Sequence, residues 1–311
     1  MYKSTQVVDI TGLRRPPSMP FQRLDNRIVL THPKGASAEL LLFGATIISW
    51  KAGSQANPEP TERLFLSLKA FLDGSKPVRG GIPVVFPCFG PPTHPEHSRL
   101  AQHGFARSET WEFDSVVTDN ADSVSVRLTL GPTPSITAKY NRSFHLAYVV
   151  TLEEHRLSTD LHVTNTSTSP DNLEFQALFH NYILAPADQI LVRPLQNIMY
   201  YDKTETTEEG RNNAKVESRS GVDVHKYTDS VYEGAPQEYE VTWSGGGLRI
   251  QTSELKDVVI WNPQKKAGSK MADMEDGGWE RFVCVEPGYV RGFTNVGAGN
   301  TWVGRQVLSV M

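Results

Sequence analysis

The sequence predicts an all-β fold, a large antiparallel β-sandwich, on three observations. Apolar and polar residues alternate with a period of two along many short runs that are rich in β-branched and aromatic residues. Clusters of Gly, Pro, Asn, Asp and Ser separate these runs, drawn in part from 24 glycines and 20 prolines. A 3.6-residue period is almost absent. This pattern is typical of antiparallel strands that each bury one face.

The predicted strands follow one another along most of the chain, with no repeat of fixed period and no linker that would divide it. We therefore expect residues 1–311 to form a single domain, with 1–26 as an N-terminal extension about which the pattern says nothing. The strands are expected within 38–50 (two strands broken near Gly44) and at 123–130, 144–152, 157–163, 173–179, 189–193, 239–243, 248–252, 258–261, 281–286 and 302–310.

Three segments interrupt the strand pattern. Residues 61–71 are compatible with one short helix. Residues 204–234 and 264–278 are polar and predict long loops, which in a compact domain are usually functional or mobile.

Composition excludes several classes of protein. Hydrophobic residues make up 39 % and charged residues 21 %, as expected for a globular protein. A net charge of −4 argues against a broad nucleic-acid surface. No apolar run approaches the ~20 residues of a membrane span, and Met1–Pro20 has no apolar secretion segment. We expect a cytoplasmic monomer that binds neither nucleic acid nor membranes.

The two cysteines and the histidines show no pattern of a cofactor site. Cys88 and Cys284 both lie in apolar runs, which predicts buried free thiols. No His or Cys spacing indicates a metal, and no Gly-rich strand-to-helix turn indicates a nucleotide. The sequence therefore predicts no metal and no other cofactor.

Two arginines stand beside glycine-containing turns. Arg79 precedes two glycines, which would allow the backbone to approach another group closely. Arg107 ends the segment 102–107, which also contains Gln102 and His103. A planar guanidinium binds a carboxylate or phosphate through two hydrogen bonds, so the two segments together make an anion pocket plausible. The alternative is a pair of tight turns with solvated arginines.

Residues 173–180 predict a strand with one apolar face and one polar face. The polar face carries Glu174, Gln176 and His180, and it is too polar for a core yet too regular for a random surface. Such a face resembles the wall of a polar cleft. A structural role for His180 at a strand end is the alternative.

Residues 281–286 predict an apolar strand that Glu286 ends. Alternation places Phe282, Cys284 and Glu286 on one face and two valines on the core face. A carboxyl group in this setting should be partly desolvated, which raises its pKa and makes it a better base. The alternative is a glutamate that faces water or pairs with an arginine.

Seven short segments resemble, in order, those of the aldose 1-epimerase (galactose mutarotase-like) family, most closely its glucose-6-phosphate 1-epimerase branch. The resemblance covers roughly residues 27–310. The matching segments are RGGIP (79–83), QHGFAR (102–107), FHNY (179–182), YDK (201–203), WNP (261–263), KMAD (270–273) and VCVEPG (283–288).

The resemblance implies a β-sandwich enzyme with a sugar cleft on one sheet and a role for each of eight residues. They are His180 as general acid, Glu286 as general base, Arg79 and Arg107 on the sugar phosphate, Gln102, His103 and Asp202 lining the sugar, and Trp261 covering it. Galactose mutarotases typically carry His-Tyr-Phe-Asn around the acid, whereas this chain has FHNYI at 179–183. Together with an arginine before Gly-Gly, this favours a hexose 6-phosphate over free galactose.

Exchange of anomers requires a base for the anomeric hydroxyl and an acid for the ring oxygen, and we expect these on opposite sides of the sugar's reducing end. No redox step, metal or covalent intermediate is needed. Three alternatives remain: a mutarotase of unphosphorylated aldoses, a non-catalytic carbohydrate-binding domain, and a glycosidase. The last would require two carboxylates across the bond, and the sequence offers one convincing candidate.

Overall fold

A computed structural model of the chain describes residues 20–311. The prediction that Met1–Pro20 contains no secretion segment therefore falls on residues that, apart from Pro20, lie outside the described part. The same holds for most of the extension 1–26. The end of that extension is not without structure, because Phe21–Leu24 forms an edge strand paired with Arg27–Leu30.

The described residues form three antiparallel sheets, which confirms the all-β prediction. Sheet I has the order β1-β2-β3-β4-β5, sheet II the order β13-β17-β18-β21-β10-β9-β8-β7, and sheet III the order β15-β14-β16-β19-β20-β11-β6, with β12 also paired to β20. The strands are β1 (Phe21–Leu24), β2 (Arg27–Thr31), β3 (Ser37–Leu41), β4 (Ile47–Ala52), β5 (Thr61–Glu62), β6 (Val84–Val85), β7 (Glu112–Asp119), β8 (Ser123–Leu130), β9 (Phe144–Glu153), β10 (Arg156–Asn165), β11 (Leu173–Phe179), β12 (Tyr182–Leu184), β13 (Leu191–Arg193), β14 (Met199–Asp202), β15 (Ala214–Val216), β16 (Thr228–Glu233), β17 (Glu238–Trp243), β18 (Gly246–Ser253), β19 (Asp257–Asn262), β20 (Phe282–Val296) and β21 (Thr301–Val310).

Helices are few and short. They are the α-helices α1 (Pro134–Thr137), α2 (Glu208–Asn212) and α3 (Gln264–Gly268) and the 3₁₀ helices Pro95–His97, Ala106–Ser108 and Gly278–Arg281. Within residues 20–311, no helix has both the length and the apolar character that crossing a membrane would require.

One contiguous hydrophobic cluster joins all three sheets. It includes Trp50 of sheet I, Leu161 and Leu308 of sheet II, and Phe175 and Val285 of sheet III, each no more than 1 % exposed. Because side chains alternate across a strand, the residues between these on sheet III face away from the cluster. Those residues form the floor of the cleft described below.

The predicted strands are confirmed, and three other predictions need correction. Residues 61–71 contain no helix; they hold β5 and a run of bridges and turns, because Leu64 and Leu66 pair with neighbouring backbone. The two predicted loops contain regular structure, since 204–234 holds α2, β15 and β16 and 264–278 begins with α3. Glu286 does not end a strand, since β20 continues through Pro287 and Gly288 to Val296. Proline is tolerated there because β11 and β12 leave a gap beside it.

The two glycines after Arg79 are needed for close approach of the backbone, as predicted, but the group approached belongs to the chain itself. A Cβ on Gly81, at φ +67°, would lie 2.1 Å from the carbonyl oxygen of Ile47. A Cβ on Gly80 would lie 2.5 Å from that of Phe65. These contacts tie the segment that carries Arg79 to sheet I.

Candidate active site

A cleft of about 730 Å³ opens on the face of sheet III that points away from the main core. Seven of the eight residues that the sequence predicts for the site line this cleft, and only Asp202 does not. The seven come from separate parts of the chain and are Arg79, Gln102, His103, Arg107, His180, Trp261 and Glu286.

His180 projects into the cleft from the break between β11 and β12. Its backbone N–H donates to the carbonyl of Pro83 at 3.0 Å. The next residue, Asn181, holds the break open by donating its side-chain amide to the Val285 carbonyl at 2.9 Å and to the Gln306 side chain at 2.8 Å. The ring of Tyr182 stacks on the imidazole with a centroid distance of 4.7 Å and an interplanar angle of 9°. The imidazole is therefore held in one orientation.

Glu286 lies on β20 beside His180. Its face is the predicted one, because Val283 and Val285 enter the main core while Phe282 and Cys284 pack in a separate cluster. The carboxyl group is 1 % exposed, and its Oε2 has no hydrogen-bond partner among residues 20–311. His180 Nδ1 and Glu286 Oε1 lie 3.4 Å apart.

The two groups are therefore neighbours on one floor, and the expectation that they occupy opposite sides of a sugar is wrong for this arrangement. The reason is strand pairing, because β12, which follows His180, pairs with β20 next to Glu286. Since the anomeric hydroxyl and the ring oxygen are bonded to the same carbon, two groups on one side of the sugar can reach both oxygens.

Burial and neighbouring charges favour the neutral form of each group. The pKa of His180 is well below its ordinary 6.5, mainly because of burial and also because of His103 and the positive charges of Arg107 and Arg79. The pKa of Glu286 is well above its ordinary 4.5, again mainly because of burial. The pair therefore carries a single proton over a wide pH range, and that proton rests on Glu286.

The loop that carries His103 depends on two residues with positive φ. His103 has φ 68° and Gly104 has φ 70°, and a Cβ on Gly104 would lie 2.1 Å from the Phe86 carbonyl oxygen. The N–H of Gly90 donates to His103 Nδ1 at 3.3 Å. Burial and the nearby arginines lower the pKa of His103 to about 3, so this ring is neutral near pH 7. The Gln102 side-chain amide lies 3.2 Å from its Nε2.

The two predicted arginines differ in how their charges are balanced. Arg79 pairs with Asp273 through Nε and Nη2 at 3.2 Å and donates to the Tyr182 hydroxyl at 2.9 Å. Arg107 donates to the Gln102 carbonyl at 3.1 Å, but it forms no ion pair within the described chain, and its Nε is buried without a partner. A partly buried guanidinium without a carboxylate is suited to an anionic ligand.

A second group of charged residues lines the cleft on the side of β16, and the sequence analysis did not predict it. Asp229 lies on β16 opposite Trp261 of β19. Burial raises the pKa of Asp229 to about 6. Lys203, Arg211 and Arg291 line the cleft near it. The 204–234 segment was predicted to be a loop, so no strand alternation was available to point Asp229 toward the cleft.

Asp202 is not brought into the cleft. Its carboxylate accepts hydrogen bonds from the hydroxyl of Thr204 at 2.6 Å and from Lys215 of β15 at 3.2 Å. Its place at the end of β14 lets the carboxylate close the following turn, while its neighbour Lys203 lines the cleft. Within the matching segment 201–203, the residue that lines the cleft is therefore Lys203 and not the predicted Asp202.

Gln176 lines the cleft as its predicted face implies, and it also organises the wall. Its side chain accepts from the N–H of Phe89 at 2.9 Å and donates to the Val290 carbonyl at 2.7 Å. Cys88 and Cys284 are buried free thiols, as predicted.

Solved structures first identify the class of fold. A candidate mutarotase from Salmonella typhimurium superimposes with a TM-score of 0.80 at 23 % identity, covering 93 % of this chain and 92 % of that one. A galactose mutarotase-like protein from Clostridium acetobutylicum matches with a TM-score of 0.69 at 15 % identity, covering 94 % and 97 %. At these identities the likeness establishes the fold, that of the mutarotase-like β-sandwiches.

Sequence comparison then gives the family. The aldose 1-epimerase family model matches residues 26–309, so this chain belongs to the aldose 1-epimerase family and is an epimerase that acts on a sugar. A candidate glucose-6-phosphate 1-epimerase from Cenchrus ciliaris is 29 % identical over 293 residues, covering 92 % of this chain and 84 % of that protein. A protein of the same description from Escherichia coli is 28 % identical over 279 residues, covering 88 % and 87 %.

Proposed function

We propose that this enzyme interconverts the α and β anomers of a hexose 6-phosphate without a cofactor, with His180 and Glu286 as the acid–base pair. The observation that carries the proposal is the contact of 3.4 Å between the imidazole and the carboxyl group on the floor of a polar cleft. The names of the Cenchrus ciliaris and Escherichia coli relatives support a phosphorylated substrate.

The single proton of the pair suffices for the reaction. The resting proton lies on Glu286; once it has passed to His180 across the 3.4 Å contact, the carboxylate removes the proton of the anomeric hydroxyl while the imidazolium protonates the ring oxygen. The C1–ring oxygen bond breaks and an aldehyde forms. Rotation about C1–C2 presents the other face, and the groups close the ring with their roles reversed. The enzyme ends each cycle with its original proton count, so no co-reactant is consumed.

The connectivity of the sugar supports a phosphate site at Arg107 and Arg79. C5 carries both the ring oxygen and C6, so a 6-phosphate lies on the ring-oxygen side of the sugar. His180 serves that oxygen, and the charges of Arg107 and Arg79 both act on His180. Arg107 forms no ion pair with any residue of 20–311, whereas Asp273 already neutralises Arg79. Arg107 is therefore the main phosphate ligand in this proposal.

The remaining cleft residues would hold the sugar ring. Gln102 and His103 lie on the side of the arginines, and the flat side chain of Trp261 offers an apolar surface to the ring. Asp229, which lines the cleft, would contact the sugar in place of Asp202, which the resemblance placed among the residues that line it. A mutarotase of unphosphorylated aldoses remains the alternative function.

The proposal is tested by NMR exchange spectroscopy at anomeric equilibrium, with glucose 6-phosphate and glucose measured at equal concentrations. A charged hydrogen bond contributes about 1.5–3 kcal/mol, so we expect acceleration on the phosphorylated sugar to exceed that on glucose by about tenfold or more. Equal acceleration of both sugars would favour the free-aldose alternative. No acceleration of either would contradict the proposed function.

We also expect a bell-shaped pH profile of kcat/KM for glucose 6-phosphate. Activity requires the singly protonated pair. It is lost at low pH when the pair gains a second proton, and because burial lowers the pKa of His180, this limb lies below 6.5. It is lost at high pH when the pair loses its proton, and because burial raises the pKa of Glu286, this limb lies well above 4.5.

The measurement requires two corrections. The rate of spontaneous exchange is subtracted at each pH. The substrate phosphate ionises near pH 6, so its ionised fraction is measured by ³¹P NMR and the profile of kcat/KM is corrected for it. An enzyme-derived acid limb at or above pH 6.5 would contradict the assignment of His180 as a buried partner.

A further inference from the structure

Three side chains of the types that bind zinc meet at the cleft floor. A ring nitrogen of His180, the sulfur of Cys284 and a carboxylate oxygen of Glu286 all lie within 4.8 Å of one another, and all three residues are buried. Cys284 lies two residues before Glu286 on β20, so both side chains point to the same face. The linear spacing gave no sign of this group, because β11 and β20 bring His180 beside residues more than a hundred positions later.

The distances suit a tetrahedral ion. Zinc bonds of ~2.0–2.3 Å place neighbouring donor atoms about 3.3–3.6 Å apart. The Nδ1 of His180 and Oε1 of Glu286, at 3.4 Å, already have this separation. The sulfur of Cys284 lies within 4.8 Å of both donor atoms.

Two of the donor residues have unused hydrogen-bonding capacity. The Nδ1 of His180 and the Oε2 of Glu286 are buried with no hydrogen-bond partner in the described part of the chain. Unpartnered buried polar atoms are unfavourable, so a ligand that engages them gains free energy. Cys284 is 0 % exposed and sits behind the two cleft residues, so an ion arriving through the cleft would meet His180 and Glu286 first.

The surrounding charges both oppose and favour a cation. Arg107 opposes it, whereas the charge of Arg79 is neutralised by Asp273. Asp229 adds negative charge from across the floor. Binding would release the thiol proton of Cys284 and the shared proton of the His180–Glu286 pair to water, giving a site of three protein ligands with an open fourth position toward the cleft.

We propose that the cleft floor binds Zn²⁺ through His180, Cys284 and Glu286, and that the bound ion inhibits anomer exchange by occupying the acid and the base. Inhibition rests on the catalytic roles given under the proposed function. Binding itself does not, because it depends only on the three donor atoms.

The binding test uses Co²⁺ as a spectroscopic substitute for Zn²⁺ in the full chain. We expect a thiolate-to-cobalt charge-transfer band in the wild-type protein that added Zn²⁺ removes. The band should be lost in Cys284→Ser and Cys284→Ala and kept in Cys88→Ser, which alters the other buried thiol. No band in the wild type, or a band that survives in both Cys284 variants, would overturn the site.

The inhibition test measures anomer exchange against added Zn²⁺, with each protein's metal-free rate as its own reference. Outer-shell changes alone lower zinc affinity by about 10–100-fold, so we expect loss of the thiolate ligand in Cys284→Ser to weaken inhibition by at least about tenfold. Cys88→Ser should respond as the wild type does. A cobalt band without inhibition would overturn the inhibitory role. Absence of exchange in metal-free protein would instead count against the proposed function and leave the binding result intact.

A further test uses only the wild-type protein and so does not depend on whether the variants fold. Crystals soaked in Zn²⁺ should show anomalous scattering at the zinc edge between His180 and Glu286. Peaks found only elsewhere on the molecule would overturn the proposal.

Discussion

Glu286→Gln is expected to lower kcat for anomer exchange on glucose 6-phosphate by about 10²- to 10⁴-fold, the usual contribution of one general acid–base group. The amide has nearly the shape of the carboxyl group but cannot accept the anomeric proton. His180→Asn should produce a loss in the same range, since it removes the partner 3.4 Å away. Because the two groups act as a unit, the double variant should be little slower than either single variant.

Glu174→Gln is the matched control for this loss. Glu174 lies on β11, the strand that leads to His180, but it does not line the cleft and bonds instead to His94 and Asn295. We expect it to exchange anomers at the wild-type rate. Thermal unfolding of the Glu286 and His180 variants should show that the fold persists. Wild-type rates in both folded single variants would refute the acid–base assignment.

Arg107→Ala is expected to raise KM for glucose 6-phosphate by about 10- to 100-fold, with a change of less than about threefold for glucose. The basis is the loss of a charge-assisted hydrogen bond, about 1.5–3 kcal/mol, to the phosphate. Arg107 gives the clearest result of the two arginines, because Arg79→Ala would also leave Asp273 without its partner. Arg107→Lys should give a KM for glucose 6-phosphate between those of the wild type and Arg107→Ala, because it keeps the charge but loses the planar guanidinium.

Arg305→Ala serves as the control for a general change in charge. Arg305 pairs with Asp160 on sheet II and does not line the cleft. The Arg305→Ala variant also removes one positive charge, and it should leave the KM values for glucose and glucose 6-phosphate unchanged. If Arg107→Ala raised KM equally for glucose and glucose 6-phosphate, the phosphate site at Arg107 would be wrong, and Arg291 and Lys203 would become the next candidates.

Much of the fold could be read from alternation because burial on one face selects it directly. Phe175 and Val285 enter the main core while Gln176 and Glu286 face the cleft, as their positions in the pattern predict. The same reasoning failed at 204–234. β15 is the edge strand of sheet III, where polar side chains are tolerated and the sequence loses its alternation. β16 is largely buried, but the polar residues Thr228 and Ser230 occupy buried positions in it and hide the pattern.

Asp229 and Asp202 show why the sequence alone could not predict which individual residues line the cleft. Both are acidic residues near the ends of strands, and β14 pairs with β16 so that Asp202 lies opposite Ser230. Only the direction of each side chain separates them, and that direction depends on the register between two strands joined by a long polar segment. The motif at 201–203 therefore contains a cleft residue, Lys203, whereas the carboxylate that lines the cleft is that of Asp229 and not that of Asp202.

The sequence by itself determined the all-β class, the faces of the central strands and the kinds of group available for acid–base and anion-binding chemistry, because these follow from local periodicity and residue type. Tertiary structure alone decided that His180 and Glu286 touch, that among residues 20–311 Arg79 has an ion-pair partner and Arg107 has none, and that Cys284 lies beside His180 and Glu286. These are contacts between residues far apart in the chain, and their geometry depends on how strands pair and where they break.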